Sequence, residues 1–198
     1  MPKCEQCQLE FREWVEFCPG CGEPVPGYAR PAGFWIRLGA YIIDALIFLP
    51  LGVLGFWNTY SFKSTALLVA MSVPGFLYKP LMESFLGATL GKMACGIKVI
   101  NGQGQRLGLF YAYARAFPFL LAAGVGLASQ LALYSTPGFE SAKTLADMTQ
   151  VKPSAYWQAV NLLVTVLILV DCLVVAFTPR KRALHDLLAD SYCVYKEP

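Results

Sequence analysis

Histidine occurs once in this chain, and charged residues make up only 15% of it, against about 25% in ordinary soluble domains. A chain so poor in charge cannot cover itself with polar surface. The single histidine, His185, stands beside Asp186 on a short amphipathic segment, and no GxSxG run is present, so no Ser-His-Asp hydrolase can be assembled. His185 then reads as a cap or a surface hydrogen bond, and no enzymatic activity is expected. The N-terminus carries charges and lacks an apolar core segment, so no cleavable signal peptide is expected, and the first hydrophobic helix must direct insertion. The net charge of +3 is too weak to argue for nucleic acid.

What the chain has is apolar length. Hydrophobic residues make up 56% of its 198 positions, gathered in a few long runs, and the mean hydropathy is +0.49. This argues against a secreted disulfide domain, a disordered tail and a compact soluble enzyme. Four spans are expected, at about 34–56, 62–86, 108–134 and 157–177, because a helix rising 1.5 Å per residue crosses ~30 Å of hydrocarbon in about 20 residues. Pro74-Gly75 predicts a kink in the second. Pro118 allows the crossing part of the third to start there, with 107–117 along the interface. Between them IKVI and Asn101-Gly102 predict a short membrane-proximal strand or hairpin, and the tail predicts a short helix and a terminal strand. The fold class is thus an all-α polytopic membrane protein of four transmembrane helices, with a short membrane-proximal β hairpin and a small N-terminal zinc ribbon.

Charge placement orients the bundle. Of 16 Lys and Arg, all but Lys63, Lys143 and Lys152 fall in the N-terminal segment through Arg37, in residues 79–115 or in the tail. The positive-inside rule then puts both termini and the central loop in the cytoplasm of a multi-pass inner-membrane protein.

Cys4, Cys7, Cys18 and Cys21 form two CxxC knuckles ten residues apart. Four thiolates aimed at one point satisfy tetrahedral Zn²⁺ with no open position, so the expected cofactor is a structural zinc; the alternative is a redox dithiol pair. The metal must supply most of the folding free energy of so small a module. Residues 1–26 read as the zinc ribbon, 27–33 as a stiff linker and 34–198 as the membrane domain. Lys3, Arg12 and Arg30 are offset by five glutamates, which favours a protein partner over nucleic acid. Cys95, Cys172 and Cys193 read as small packed hydrophobes.

Arg37, Tyr41 and Asp44 share one face of the first helix. Asp44 and Asp171 lie at similar depths, about 10 Å in, so both can line one cavity, with Arg115 joining at that level. An intramembrane acid is by default a functional-site hypothesis, and two acids with an arginine can bind a cation or relay a proton. The alternative is a structural ion pair between Arg37 and Asp44. GATLGK at 87–92 is similar to a phosphate loop but is one residue short, and Met93 stands where Ser or Thr would hold Mg²⁺.

FWIRLGAYIIDALI, ESFLGATLGKMACGIKVINGQGQRLG and PRKRALHDLLADSYCVY together resemble the RDD family of bacterial membrane proteins over about residues 28–197. The resemblance implies that Arg37 is the family arginine, Asp44 its first aspartate and Asp186 its second, with Asp171 the weaker candidate. Glu83, Thr89, Gly91 and Lys92 match the E...TLGK segment. Ala189-Asp190-Ser191 departs from the usual AGT-like step and makes that turn more acidic. Family membership implies a polytopic protein with a role in transport, cation/proton exchange having been proposed for some members. Two functions follow as expectations: a small-ion or solute transporter using Arg37, Asp44, Glu83, Lys92, Arg115, Asp171 and Asp186, or a membrane-anchored scaffold whose ribbon recruits a protein. Besides the lipid bilayer, a second copy of the chain is an expected partner, because four spans leave little room for an alternating path.

Overall fold

In a computed structural model of the chain the described residues are 3–4, 6–10, 18, 20–21, 30–142, 144, 147, 150–151, 154–178 and 181–196. The linker prolines 24 and 26 and the basic residues Arg12, Lys143, Lys152 and Arg180 lie outside them. Helix α1 (Phe34–Trp57) runs into a π-helical turn (Asn58–Phe62) and is followed by α2 (Thr65–Phe85), α3 (Leu90–Ala94) and β1 (Ile97–Asn101). The second half contains α4 (Leu109–Tyr134), α5 (Ala155–Phe177), α6 (Leu184–Leu188) and β2 (Ser191–Tyr195). The four long helices are those expected, each long and apolar enough to cross a membrane. In three of them only 6% of the most apolar window is buried, so the apolar side chains face outward, as lipid requires and water forbids.

Two expectations about elements need correction. Helix α4 starts at Leu109 and carries Pro118 inside it, so 109–117 is continuous with the rest of the helix and not a separate segment. Ala112, Arg115 and Ala116 are buried before the proline, and their contacts hold that turn in place. The strand and turn at 97–102 are present, but β1 pairs antiparallel with the terminal strand, from Ile97 opposite Tyr195 to Asn101 opposite Ser191. After the turn the chain returns only as far as a bond from Asn101 N to Gln105 O, at 2.8 Å, before Gly108 caps α4, which leaves no length for a hairpin partner. Residues 30–32 join the free edge of β2, with Ala32 N donating to Cys193 O (2.8 Å) and Tyr195 N to Arg30 O (2.9 Å).

The long helices alternate in direction, so the starts of α1 and α4 and the ends of α2 and α5 meet at one end with the sheet, α3 and α6. Compact apolar clusters lie there: Ala32, Ala40, Ile97 and Cys193 in one, Val99, Leu107, Ala112 and Ala189 in another. Cys193 packs as a small hydrophobe, as expected. At the opposite end buried Asn58 ties Ser64 and Tyr134 together, and Lys63 Nζ donates to the carbonyls of Phe139, Glu140 and Ala142 at 2.6–2.8 Å. That end is closed by backbone carbonyls around a lysine; the other is closed by ion pairs.

Candidate functional site

Asp186 lies in the first turn of α6, where its Oδ2 accepts from Ala183 N at 3.1 Å. The same carboxylate takes two arginines. Arg37 Nη1, from α1, donates to Oδ2 at 2.5 Å, and Arg115, from α4, donates through Nε and Nη2 to Oδ1 at 2.9 and 2.6 Å. Arg37 is held further by the carbonyls of Ala32 and Lys181. Arg115 continues the network: its Nη1 faces Glu83 Oε2, at the end of α2, at 2.7 Å without hydrogen-bond alignment, a purely ionic contact. The other Glu83 oxygen takes Lys92 Nζ of α3 at 2.5 Å. Arg115, Glu83 and Asp186 are each at most 1% exposed, so this chain of charges is shut off from solvent.

A second arm runs through α5. Asp171 Oδ1 accepts from His185 N at 2.9 Å, and its Oδ2 lies 2.5 Å from His185 Nδ1. Burial pushes the His185 ring down to about 4, against the raising effect of the Asp171 bond, so the ring is neutral and Nδ1–H donates. Burial alone would raise the Asp186 carboxyl, but the guanidiniums of Arg115 and Arg37 hold it well below the usual carboxylate range.

Asp44 belongs to a different group. It accepts from the Tyr78 hydroxyl (2.7 Å), Thr89 Oγ1 (2.6 Å) and Gly91 N (2.7 Å), while Tyr78 itself accepts from Leu90 N. Thr89 also caps α3, and Gly91 allows the approach, since a Cβ there would lie 2.0 Å from Ala40 O. The shared face of α1 is real, but Asp44 is two turns deeper than Arg37 and meets α3, whereas Arg37 meets α6. The alternative Arg37–Asp44 ion pair is therefore absent, and Asp44 and Asp171 bond to different groups, Tyr78, Thr89 and Gly91 in one case and His185 in the other. Of the seven expected residues, Arg37, Glu83, Lys92, Arg115 and Asp186 form one network, Asp171 joins through His185, and Asp44 anchors α3. His185, expected as a cap or surface bond, is 7% exposed and central.

Sequence reasoning missed Lys79, one turn before Glu83 on α2, whose Nζ lies 3.2 Å from the centre of the Phe119 ring; the i,i+4 spacing to Glu83 was its signal. It also missed Ser191, whose hydroxyl accepts from Arg115 Nε at 3.1 Å, since a terminal strand gives no sign of what it faces.

The cysteine knuckles form a separate candidate metal centre. All four Sγ atoms lie within 4.8 Å of one another, with Cys4 to Cys21 at 3.5 Å and Cys7 to Cys18 at 3.4 Å. A tetrahedron of ~2.3 Å metal–sulfur bonds has edges of ~3.8 Å, so the set fits one ion. Backbone N–H groups of Cys21 and Gly20 hold the Cys18 thiol down to about 6, toward the thiolate that a metal needs.

A family model, the RDD family, matches residues 31–190 and leaves the cysteine module outside. The uncharacterized protein YckC of Bacillus subtilis (strain 168) is 30% identical over 175 residues, 85% of this chain and 87% of that protein. YxaI of the same organism, also uncharacterized, is 30% identical over 118 residues, 46% of this chain and 78% of that protein. No solved structure matches the chain. With its arginine, its aspartates and its TLGK segment gathered at one end of four apolar helices, the chain is a membrane protein that belongs to the RDD family.

Proposed function

We propose that the protein moves a small ion across the bacterial inner membrane, with both termini in the cytoplasm, and that the network around Asp186 and Arg115 couples this movement to helix packing. One observation carries the reading: Arg37, Arg115 and Asp171, on three different spanning helices, converge on α6, and Glu83 of the fourth is tied in through Arg115. Buried ion pairs are no more stable than well-packed apolar side chains of similar size, so stability alone gives no reason for such a cluster. In this reading Asp44 is a structural anchor, and proton or cation exchange acts at Asp186, Glu83 and the Asp171–His185 pair. A homo-oligomer supplies the path that a single four-span chain lacks. Full-length protein in liposomes bearing a pH gradient should dissipate it when a monovalent cation is added, and Asp186→Asn and Asp171→Asn should abolish the effect. A broad cation screen with no flux removes the reading.

A second reading is favoured by the docking of residues 30–32 on β2, which fixes the chain that follows the cysteine module to the sheet. Here the protein is a membrane-anchored scaffold, and a structural zinc held by Cys4, Cys7, Cys18 and Cys21 shapes a surface for a protein partner. Loss of co-purifying partner in Cys4→Ser, with flux unchanged or absent throughout, favours it.

A further inference from the structure

Helix α6 follows the last span in sequence, yet its bonds draw it back beside the spans. His185 N is 2.9 Å from Asp171 Oδ1, and an aspartate side chain is short, so the α6 backbone must lie against α5 at the level of residue 171. Asp171 is six residues from the end of α5, and Arg115, which grips Asp186, is six residues from the start of α4. At 1.5 Å per residue both lie ~9 Å inside their helices. The polar face of α6, His185 and Asp186, is buried in the network, and the opposite face presents Leu184, Leu187 and Leu188, which is 63% exposed. At that depth these leucines continue the apolar surface that the spanning helices turn outward.

Between α6 and α4 lies a groove of about 460 Å³, lined by Phe110, Tyr113, Ala114, Phe117, Leu120 and Leu188. Its size is that of a small-molecule site, but its only side-chain polar atom is one tyrosine hydroxyl and no charged residue lines it, so it reads an apolar chain and not a headgroup. It opens beside exposed Phe117 and Leu121 of α4 and is continuous with the lipid-facing surface. We propose that this groove seats one acyl chain of a phospholipid from the leaflet around the charged end, with α6 immersed in that leaflet. The chain then covers apolar side chains of α4 and α6 that the protein itself leaves open. The proposal does not depend on transport.

The test uses full-length protein in vesicles of phosphatidylethanolamine and phosphatidylglycerol doped with a phospholipid carrying a mid-chain diazirine. After irradiation and digestion, mass spectrometry should find adducts at Phe117 and within Leu184–Leu188. Ala114→Trp, which fills the groove, should lower these adducts several-fold while labelling at lipid-facing Leu162 and Leu169 stays constant. Leu188→Gln, at an exposed position that cannot threaten the fold, should lower them in the same direction. The proposal is overturned if α6 stays unlabelled and is oxidised by aqueous hydroxyl radicals, or if both variants label like the parent. Protein–protein adducts through Leu188, making a second copy the occupant, also overturn it.

Discussion

Gly91 shows how much one residue decides. Its missing Cβ lets α3 approach the Ala40 carbonyl and deliver a backbone N–H to Asp44. Gly91→Ala should therefore push α3 off α1 and cost about 3 kcal/mol, the upper end of ordinary overpacking, read as a lower thermal midpoint in detergent. His185 has its own pH signature. Its ring is held at about 4 when folded, against 6.5 ordinarily, so between these values the unfolded chain binds more protons and stability rises with pH. The contribution is fully present above ~6.5 and is lost as pH falls toward 4, an effect on the order of 3 kcal/mol. His185→Asn, which keeps a donor toward Asp171, should flatten that part of the melting-temperature profile; an unchanged slope would place the titration elsewhere. The i,i+7 spacing of Arg37 and Asp44 was legible, but a shared helix face does not say which neighbour each depth meets.

Among elements, the two short helices do the joining. Thr89 caps α3 through Lys92 N and donates to Asp44, so Thr89→Val removes a cap and leaves a half-buried carboxylate oxygen short of a donor. A loss of about 3 kcal/mol is expected, measured by chemical or thermal unfolding, with the long helices still intact by circular dichroism. The strand β1 was readable from IKVI, whereas its partner was not, because strand pairing over ninety or more residues depends on where α4 and α5 bring the tail. The same holds for α4: a proline marks a possible boundary, and the buried contacts of Ala112, Arg115 and Ala116 carry the helix through it.

The whole molecule is a bundle with two unlike ends and, outside the family-matched region, a cluster of four cysteines placed as a metal site requires. One zinc per chain is expected by elemental analysis, and its removal by a strong chelator, or Cys18→Ser, should unfold the N-terminal module, for which metal binding supplies about 10–16 kcal/mol. The unfolding midpoint of the bundle should not move, which differential scanning calorimetry can check. The number of spans, their approximate limits, the cysteine knuckles and the charged end follow from the sequence alone, because hydropathy, length and thiol spacing are local properties of the chain. The partners follow only from the tertiary structure: Arg37 finds Asp186 149 residues away, and Arg115 finds it 71 away. Which acid meets which base depends on the rotation and depth of each helix against its neighbours, and no linear pattern encodes that.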